Sequence, residues 1–271
     1  MDPLFDITGK VVVVTGGLGQ LGLQFTRTLL ERGARAALFD LDVEGETARA
    51  KLADLENRDQ MIAVSCDVTD RTSLERALGR VVERWETPHG LINNAALDSP
   101  PNAPAEESGP FETYPLDSWE QIMKVNVTGV FLACQTIGGA MAEAGRGAIV
   151  NVASIYGLVS PDQGLYGYRR KAGQVFFKPA AYATSKSALY NLTRYLATYW
   201  GERGVRGNVV TFGGVFNNQD QAFLDGYRAK VPLRRMAWQH EYDGTIIYLL
   251  SEASSYMTGS NVVVDGGFTA W

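Results

Sequence analysis

Short, continuously apolar runs alternate with longer amphipathic stretches along the chain. Seven apolar runs predict β-strands at residues 11–15, 36–40, 61–65, 90–93, 148–153, 207–211 and 261–265. Strands without polar alternation are typical of a parallel sheet that is covered on both faces. Helical patterns fall between them, at residues 18–32, 44–56, 72–86, 116–144, 180–203 and 238–251. This alternation predicts one α/β domain over residues 1–271, a doubly wound parallel sheet of about seven strands with helices on both faces.

Two segments interrupt the alternation, at about residues 98–115 and 161–179. The first holds five of the ten prolines, and the second holds three glycines and the basic triplet Arg169, Arg170 and Lys171. Each follows the carboxyl end of a predicted strand, which is where open parallel sheets bind ligands. Because long loops inside a compact domain are usually functional or disordered, both are predicted to be inserted substrate loops.

Composition and charge narrow the class of protein. The 271 residues carry 45% hydrophobic side chains and a formal charge of −5, which indicates a packed globular domain and argues against nucleic acid as a partner. No run approaches the ~18 apolar residues of a membrane span, and the N-terminus has no signal-peptide pattern. We therefore expect a cytoplasmic protein that contacts no membrane. Cys66 and Cys134 are expected to be reduced, and the two histidines lack metal-ligand spacing, so no metal site is expected.

The first predicted strand runs directly into a glycine-rich turn, Thr15-Gly16-Gly17-Leu18-Gly19-Gln20-Leu21-Gly22. Glycines between a strand and a helix let a pyrophosphate approach the backbone N–H groups of the helix N-terminus. Asp40 ends the second strand, where its carboxylate can accept hydrogen bonds from ribose hydroxyls and would repel a 2′-phosphate. The turn therefore predicts a dinucleotide site, and Asp40 favours NAD over NADP.

Tyr182 and Lys186 open the helical pattern that begins at residue 180. Residues at i and i+4 lie on one face of a helix, and a nearby cation lowers the pKa of a tyrosine. Such a tyrosine can exchange a proton while a hydride moves at the same carbon. Ser154 ends the strand just upstream and can hydrogen-bond to the same substrate oxygen. These residues predict an acid–base site.

In this order along the chain, the motifs resemble those of the short-chain dehydrogenase/reductase family over essentially the whole length. They are Thr15-Gly16 to Gly22, Cys66-Asp67-Val68, Asn93-Asn94-Ala95-Ala96, Asn126 within Lys124-Val125-Asn126-Val127, Ser154, Tyr182 to Lys186, and Asp265-Gly266-Gly267. The resemblance implies a single Rossmann-type domain, usually a homotetramer, in which Tyr182 is the general acid/base. It also implies that Lys186 lowers the tyrosine pKa and holds the nicotinamide ribose, Ser154 orients the carbonyl, and Asn126 holds a proton-relay water.

With Tyr182 and Lys186, the residues expected to bind NAD are Gly16, Gly19, Gln20, Leu21, Gly22, Asp40, Leu41, Asp67, Val68, Asn94, Ala95, Gly213 and Val215. The sequence departs from the family pattern at Gln20, which replaces the middle glycine of TGxxxGxG, and at Phe212-Gly213-Gly214-Val215, where a Pro-Gly is usual. The resulting TGxxGxxG spacing is commoner in the extended branch of sugar-nucleotide epimerases and dehydratases, which normally carries a longer C-terminal substrate domain. Tyr166, with Arg170 four residues later, stands at the usual distance from Ser154 and is a rival to Tyr182. We prefer Tyr182 because arginine cannot replace a titratable lysine.

The second inserted loop suggests the substrate. Ser154, Tyr156, Arg169, Arg170, Tyr182 and Asn217 are the expected substrate-binding residues. The basic cluster either binds a carboxylate, phosphate or sulfonate or is simply a solvated face. The segments after residues 156 and 213 also resemble a bacterial subgroup that acts on sugars and sugar acids, including flagellin-modification oxidoreductases. The sequence thus predicts an NAD-dependent alcohol–ketone oxidoreductase of carbohydrate metabolism, acting on a polyhydroxylated, possibly anionic small molecule as a homotetramer or homodimer. The alternatives are an epimerase or dehydratase with tightly bound NAD, and a non-catalytic NAD-binding subunit.

Overall fold

A computed structural model describes residues 2–55, 58–99 and 104–271 and contains one parallel sheet. Its strands are β1 (Val11–Thr15), β2 (Arg35–Asp40), β3 (Met61–Ser65), β4 (Gly90–Asn93), β5 (Gly147–Ser154), β6 (Val205–Phe212) and β7 (Asn261–Val264). They lie in the order β3-β2-β1-β4-β5-β6-β7, and every pairing is parallel. This sheet confirms the predicted Rossmann-type fold, and each predicted strand agrees with the observed one within two residues at either end.

Helices cover both faces of the sheet, as the apolar strands require. They are α1 (Gln20–Glu31), α2 (Glu46–Ala53), α3 (Arg71–Arg84), α4 (Leu116–Glu143), α5 (Ala180–Trp200), α6 (Gln221–Lys230) and α7 (Asp243–Leu250). Side chains of β1 alternate between the two layers. Val11 and Val13 pack in a core formed with α3, α4 and α5, whereas Val12 and Val14 pack in a core formed with α1 and α7.

Several segments differ from the sequence expectations. The predicted helix 44–56 is shorter, at Glu46–Ala53, and its last residue, Glu56, lies outside the described residues. Helix α6 was not predicted, because only Leu224 and Tyr227 of its ten residues are buried and so its apolar stripe is short. The predicted loop 161–179 contains a short helix, Gly167–Lys171, which makes the basic triplet helical. In the predicted loop 98–115, residues 100–103 lie outside the described residues, and the remainder forms two short 3₁₀ turns.

Helix α4 is long and contains two π-helical stretches, Lys124–Gly129 and Cys134–Gly138. By length and composition alone it could cross a membrane, but half of its most apolar stretch is buried inside the protein. Val130, Ala133, Ile137 and Met141 of this helix are buried in the core on that face of the sheet. We therefore describe α4 as a core helix. A π stretch often marks a functional position in a helix, and Asn126 lies in the first one.

Candidate active site

Two adjoining clefts open at the carboxyl ends of the strands. The larger, about 900 Å³, follows the glycine-rich turn and the ends of β2 and β3. The smaller, about 670 Å³, lies over the ends of β5 and β6 and beside the start of α5. Gln20, Leu21, Asn94 and Ala96 line both clefts, so the two form one continuous groove. The groove crosses the point between β1 and β4 where the strand order reverses, the usual ligand position in this architecture.

The glycine-rich turn is held in shape by two of its glycines. Gly16 has a φ of +62°, a backbone conformation that side-chain-bearing residues rarely adopt. A Cβ added to Gly22 would lie 2.2 Å from the carbonyl oxygen of Gly16, so any side chain there would break the turn. Gly19 differs, because an added Cβ would meet only that same oxygen, at 3.3 Å. The fold therefore tolerates a side chain more readily at Gly19 than at Gly22. Gly19 lines the larger cleft.

Asp40 closes the other side of the larger cleft. Its carboxylate accepts hydrogen bonds from the backbone N–H groups of Leu18 and Leu41, both at 2.8 Å. Lys51 also lines this cleft and donates from Nζ to the carbonyl oxygen of Leu18 at 2.9 Å, a cation that the sequence analysis did not single out. Of the predicted cofactor residues, those lining this cleft are Gly16, Gly19, Gln20, Leu21, Asp40, Leu41, Asp67, Val68, Asn94 and Ala95, whereas Gly22 is packed within the turn.

Asn94 and Gln20 tie the turn to its neighbours. The side-chain amide of Asn94 donates to the carbonyl oxygens of Thr15 and Gly16, at 3.1 and 3.0 Å. Gln20 Nε2 donates to the carbonyl oxygen of Phe216 at 3.0 Å, across the groove. The residue that replaces the family's middle glycine thus bridges the glycine-rich turn and the segment after β6. Gly213, Val215 and Asn217 of that segment line the smaller cleft.

Tyr182 and Lys186 lie together at the start of α5, beside Ser154. Lys186 Nζ is 5.8 Å from the centroid of the tyrosine ring and donates to the carbonyl oxygen of Val152 at 2.7 Å. Burial raises the pKa of Tyr182, the carboxylate of Asp98 raises it further, and a hydrogen bond with Ser154 opposes the shift. The net direction is opposite to the lowering that was expected from Lys186. Desolvation is the larger effect here, and it also lowers the pKa of Lys186 to about 8.

Asn126 is completely buried, and its side-chain amide is fully engaged. Its Nδ2 donates to the carbonyl oxygen of Leu97 at 2.8 Å and to Ser185 Oγ at 2.9 Å, and its Oδ1 accepts from Leu97 N at 2.7 Å. The side chain therefore positions the segment after β4 against α5. Because both amide hydrogens are used, this side chain can bind the expected relay water only by accepting a hydrogen bond at Oδ1, and that role stays a prediction.

The rival tyrosine has different surroundings. Tyr166 is 8% exposed, and its hydroxyl hydrogen-bonds with Tyr156; both rings line the smaller cleft. Arg170, the cation that would have supported Tyr166, donates instead to the carbonyl oxygens of Phe176 and Gln163, at 2.8 and 2.7 Å. Arg170 lines neither cleft of the groove. The structure thus places Lys186 beside Tyr182, whereas the arginine near Tyr166 in sequence is committed to the backbone of its own loop.

Each of two further cations in the smaller cleft has a carboxylate partner. Arg169 Nη2 lies 3.6 Å from Asp220 Oδ2, and its guanidinium carbon Cζ lies 4.4 Å from the centroid of the Phe176 ring. Lys178 forms an ion pair with both carboxylate oxygens of Asp98. Sequence reasoning missed this second pair, although Lys178 lies four residues before Tyr182. The missing information was the position of Asp98, which lies 80 residues away in the chain.

Cys66 lines the larger cleft, whereas Cys134 lines neither cleft. Cys66 and Cys134 are free and buried, and burial raises their pKa values to about 11 and about 12. Within residues 2–55, 58–99 and 104–271, no group of three or more histidine, cysteine or acidic side chains is placed to hold a metal ion.

Comparison with known proteins agrees with this geometry. A family model described as enoyl-(acyl carrier protein) reductase, adh_short_C2, matches residues 20–269. D-threitol dehydrogenase of Mycolicibacterium smegmatis is 32% identical, with 98% of this chain and 95% of that protein covered. A gluconate 5-dehydrogenase from Burkholderia cenocepacia, in complex with NADP and tartrate, has a TM-score of 0.84 at 25% identity, covering 99% and 98% of the two chains. A short chain dehydrogenase from Leptospira borgpetersenii with bound NAD⁺ has a TM-score of 0.83 at 29% identity, covering 97% and 94%. The chain therefore belongs to the short-chain dehydrogenase/reductase family of nicotinamide-dependent oxidoreductases.

Proposed function

We propose that the protein is an NAD-dependent dehydrogenase of carbohydrate metabolism that interconverts a secondary alcohol and a ketone on a polyhydroxylated small molecule. The observation that carries this proposal is the grouping of Ser154, Tyr182 and Lys186 beside a polar cleft. Relatives that act on a sugar alcohol and on gluconate support the substrate class. Because these relatives are dehydrogenases, we prefer this function to an epimerase, a dehydratase or a non-catalytic NAD-binding subunit.

The larger cleft fits a dinucleotide. The cleft reaches Gly19 at the N-terminus of α1, where backbone N–H groups can bind phosphate oxygens. The carboxylate of Asp40 is suited to accept hydrogen bonds from both ribose hydroxyls, which supports NAD as the cofactor. Since the related structures include one with NAD⁺ and one with NADP, the choice rests on this residue. The nicotinamide, when bound, supplies the hydride acceptor or donor.

In the proposed mechanism Tyr182 moves the proton. During oxidation its phenolate oxygen takes the proton of the substrate hydroxyl, and during reduction the phenol returns a proton to the carbonyl oxygen. Ser154 Oγ donates a hydrogen bond to the same substrate oxygen and so fixes its position. Protonated Lys186, held by the carbonyl oxygen of Val152, favours the phenolate, and in this proposal it also binds the nicotinamide ribose.

We further propose that the enzyme works in the cytoplasm as a homodimer or homotetramer. Phe131 on α4 and Tyr195 and Tyr199 on α5 are exposed aromatic side chains, with exposed fractions of 46%, 60% and 60%. The two tyrosine rings are stacked, 5.8 Å apart. Aromatic side chains on two adjacent helices are typical of a subunit interface.

Formation of NADH, followed at 340 nm, tests the proposed function. D-threitol, D-arabinitol and D-gluconate are offered with NAD and, in parallel, with NADP. We expect NAD-linked oxidation of at least one polyol, and we expect Tyr182→Phe to lower kcat by about 10²- to 10⁴-fold while NADH binding is retained. Wild-type turnover in the Tyr182→Phe variant would contradict the acid–base assignment. A preference for NADP would contradict the role of Asp40.

A further inference from the structure

The ion pair between Asp98 and Lys178 has no role in the mechanism above, although it lies in the same cleft as Tyr182. Lys178 precedes the tyrosine by four residues, and Lys186 follows it by four. The Nζ atom of Lys178 is 5.4 Å from the centroid of the Tyr182 ring, compared with 5.8 Å for Lys186. Two ammonium groups therefore flank the proposed acid–base residue, and Asp98 neutralises the outer one.

The surrounding residues hold Lys178 in place. Its side chain is only 13% exposed. Its backbone N–H donates to Gln163 Oε1 at 2.8 Å, and Gln163 Nε2 donates back to its carbonyl oxygen at 3.1 Å. Arg170 in turn binds the carbonyl oxygen of Gln163 at 2.7 Å. The Asp98 side chain is more open, at 58% exposed. Because burying an ammonium group has a desolvation cost, a lysine held in a cleft in this way is better explained by ligand binding than by stability.

The charges of the smaller cleft favour a neutral ligand. Its charged lining residues, within the described ranges, are Asp98, Arg169, Lys178, Lys186 and Asp220. Two of the three cations are paired with carboxylates, and the third is Lys186. Lys171 is exposed and lines neither cleft. An anionic group near Lys178 would meet the carboxylate of Asp98, whereas a hydroxyl can donate to the carboxylate and accept from the ammonium.

We propose that Asp98 and Lys178 bind the hydroxyl group on the carbon next to the reacting one. The carboxylate accepts the hydrogen of this hydroxyl, and the ammonium donates to its oxygen. The proposal rests on the proposed function and names its substrate more closely, as a neutral vicinal diol within a polyol or sugar. It also assigns specificity to the pair, because an isolated secondary alcohol would leave both charged groups without a ligand partner.

Two small alcohols separate this role from a general effect on catalysis. The kcat/KM for 2,3-butanediol and for 2-butanol is measured in the wild type, in Asp98→Asn and in Lys178→Met. Lys171→Met is the matched control, because it removes a lysine of the same loop that lies outside the groove. The carboxylate of Asp98 also raises the pKa of Tyr182, but both alcohols share any change in proton transfer, and the ratio of the two values removes it.

We expect the wild type to prefer the diol, and each cleft variant to lower kcat/KM for the diol by about 10- to 100-fold, mainly through KM. The ratio of kcat/KM for the diol to that for 2-butanol should fall by about 10- to 100-fold in each cleft variant, whatever change in proton transfer the two alcohols share, and Lys171→Met should keep the wild-type ratio. Equal losses on both alcohols, or no loss on the diol, would overturn the proposal. The proposal would also be overturned if Asp98→Asn gained activity on D-gluconate and Lys178→Met did not, because Lys178 would then bind a carboxylate. Failure of the proposed function gives a different result, because the wild type would then oxidise no diol or polyol. Unchanged NADH affinity of the variants shows that they are folded.

Discussion

At the residue scale, the charge on Lys186 is set by burial. The side chain is 4% exposed, and its ammonium has one carbonyl partner, the oxygen of Val152. Burial disfavours the charged form, so the pKa falls to about 8. The proposed support of the Tyr182 phenolate is therefore present below this pH and is lost above it. Because its pKa lies so close to neutral pH, the charge of Lys186 can respond to small changes in its surroundings.

This burial predicts a pH-dependent difference in stability. Between pH 8 and about 10.5, the unfolded chain holds a proton that native Lys186 has released, so the free energy of unfolding rises with pH. Lys186→Met has no such titration. From pH 7 to 10.5, we expect the free energy of unfolding of the wild type to rise by about 3 kcal/mol relative to that of this variant. Urea unfolding at several pH values measures this difference. The exposed Lys171→Met provides the control, and a stability gap that stays constant with pH would disprove the assignment.

At the element scale, the junction between β1 and α1 separates glycines that serve folding from a glycine that serves binding. Gly22 lies against the carbonyl oxygen of Gly16, and the helix can begin only if no side chain intervenes. Gly19, at the N-cap of α1, has no comparable neighbour. At the next position, where the usual pattern has glycine, Gln20 instead donates a hydrogen bond to the carbonyl oxygen of Phe216.

Two alanine variants distinguish the roles of these glycines. In Gly22→Ala the new Cβ would lie 2.2 Å from a backbone oxygen, and we expect a loss of about 1–3 kcal/mol or more in the free energy of unfolding. We expect Gly19→Ala to fold with a similar Tm but to bind NADH at least about 10-fold more weakly, since its methyl group occupies the space proposed for phosphate. Thermal unfolding and NADH fluorescence titration measure both effects. Unchanged NADH affinity in Gly19→Ala would contradict the proposed phosphate position.

At the scale of the whole molecule, the groove is assembled from segments far apart in the chain. The glycine-rich turn, the ends of β4 and β5, the start of α5 and the segment after β6 all meet at one edge of the sheet. The Asp98–Lys178 pair joins the two inserted loops at this edge. The exposed aromatic side chains of α4 and α5 line neither cleft, which leaves them available for subunit contacts.

The proposed subunit interface predicts a change of assembly. We expect the double variant Tyr195→Glu and Tyr199→Glu to form smaller oligomers than the wild type, because four glutamates would face one another across a twofold contact. Light scattering coupled to size-exclusion chromatography measures the mass of each. Tyr256→Glu, which changes an exposed tyrosine outside these helices, should keep the wild-type assembly. A wild-type enzyme that is monomeric at micromolar concentration would exclude the interface.

The sequence by itself determined the features that depend on neighbouring residues. Continuous apolar runs indicated the seven strands, and the turn from Gly16 to Gly22 and the spacing of Tyr182 and Lys186 follow from strand and helix geometry. The tertiary structure decided which charges meet. It turned Arg170 toward backbone oxygens, paired Arg169 with Asp220 and Lys178 with Asp98, and raised the pKa of Tyr182. Charge pairing and burial depend on partners that are distant in the chain, and no local pattern records which of them will be in contact.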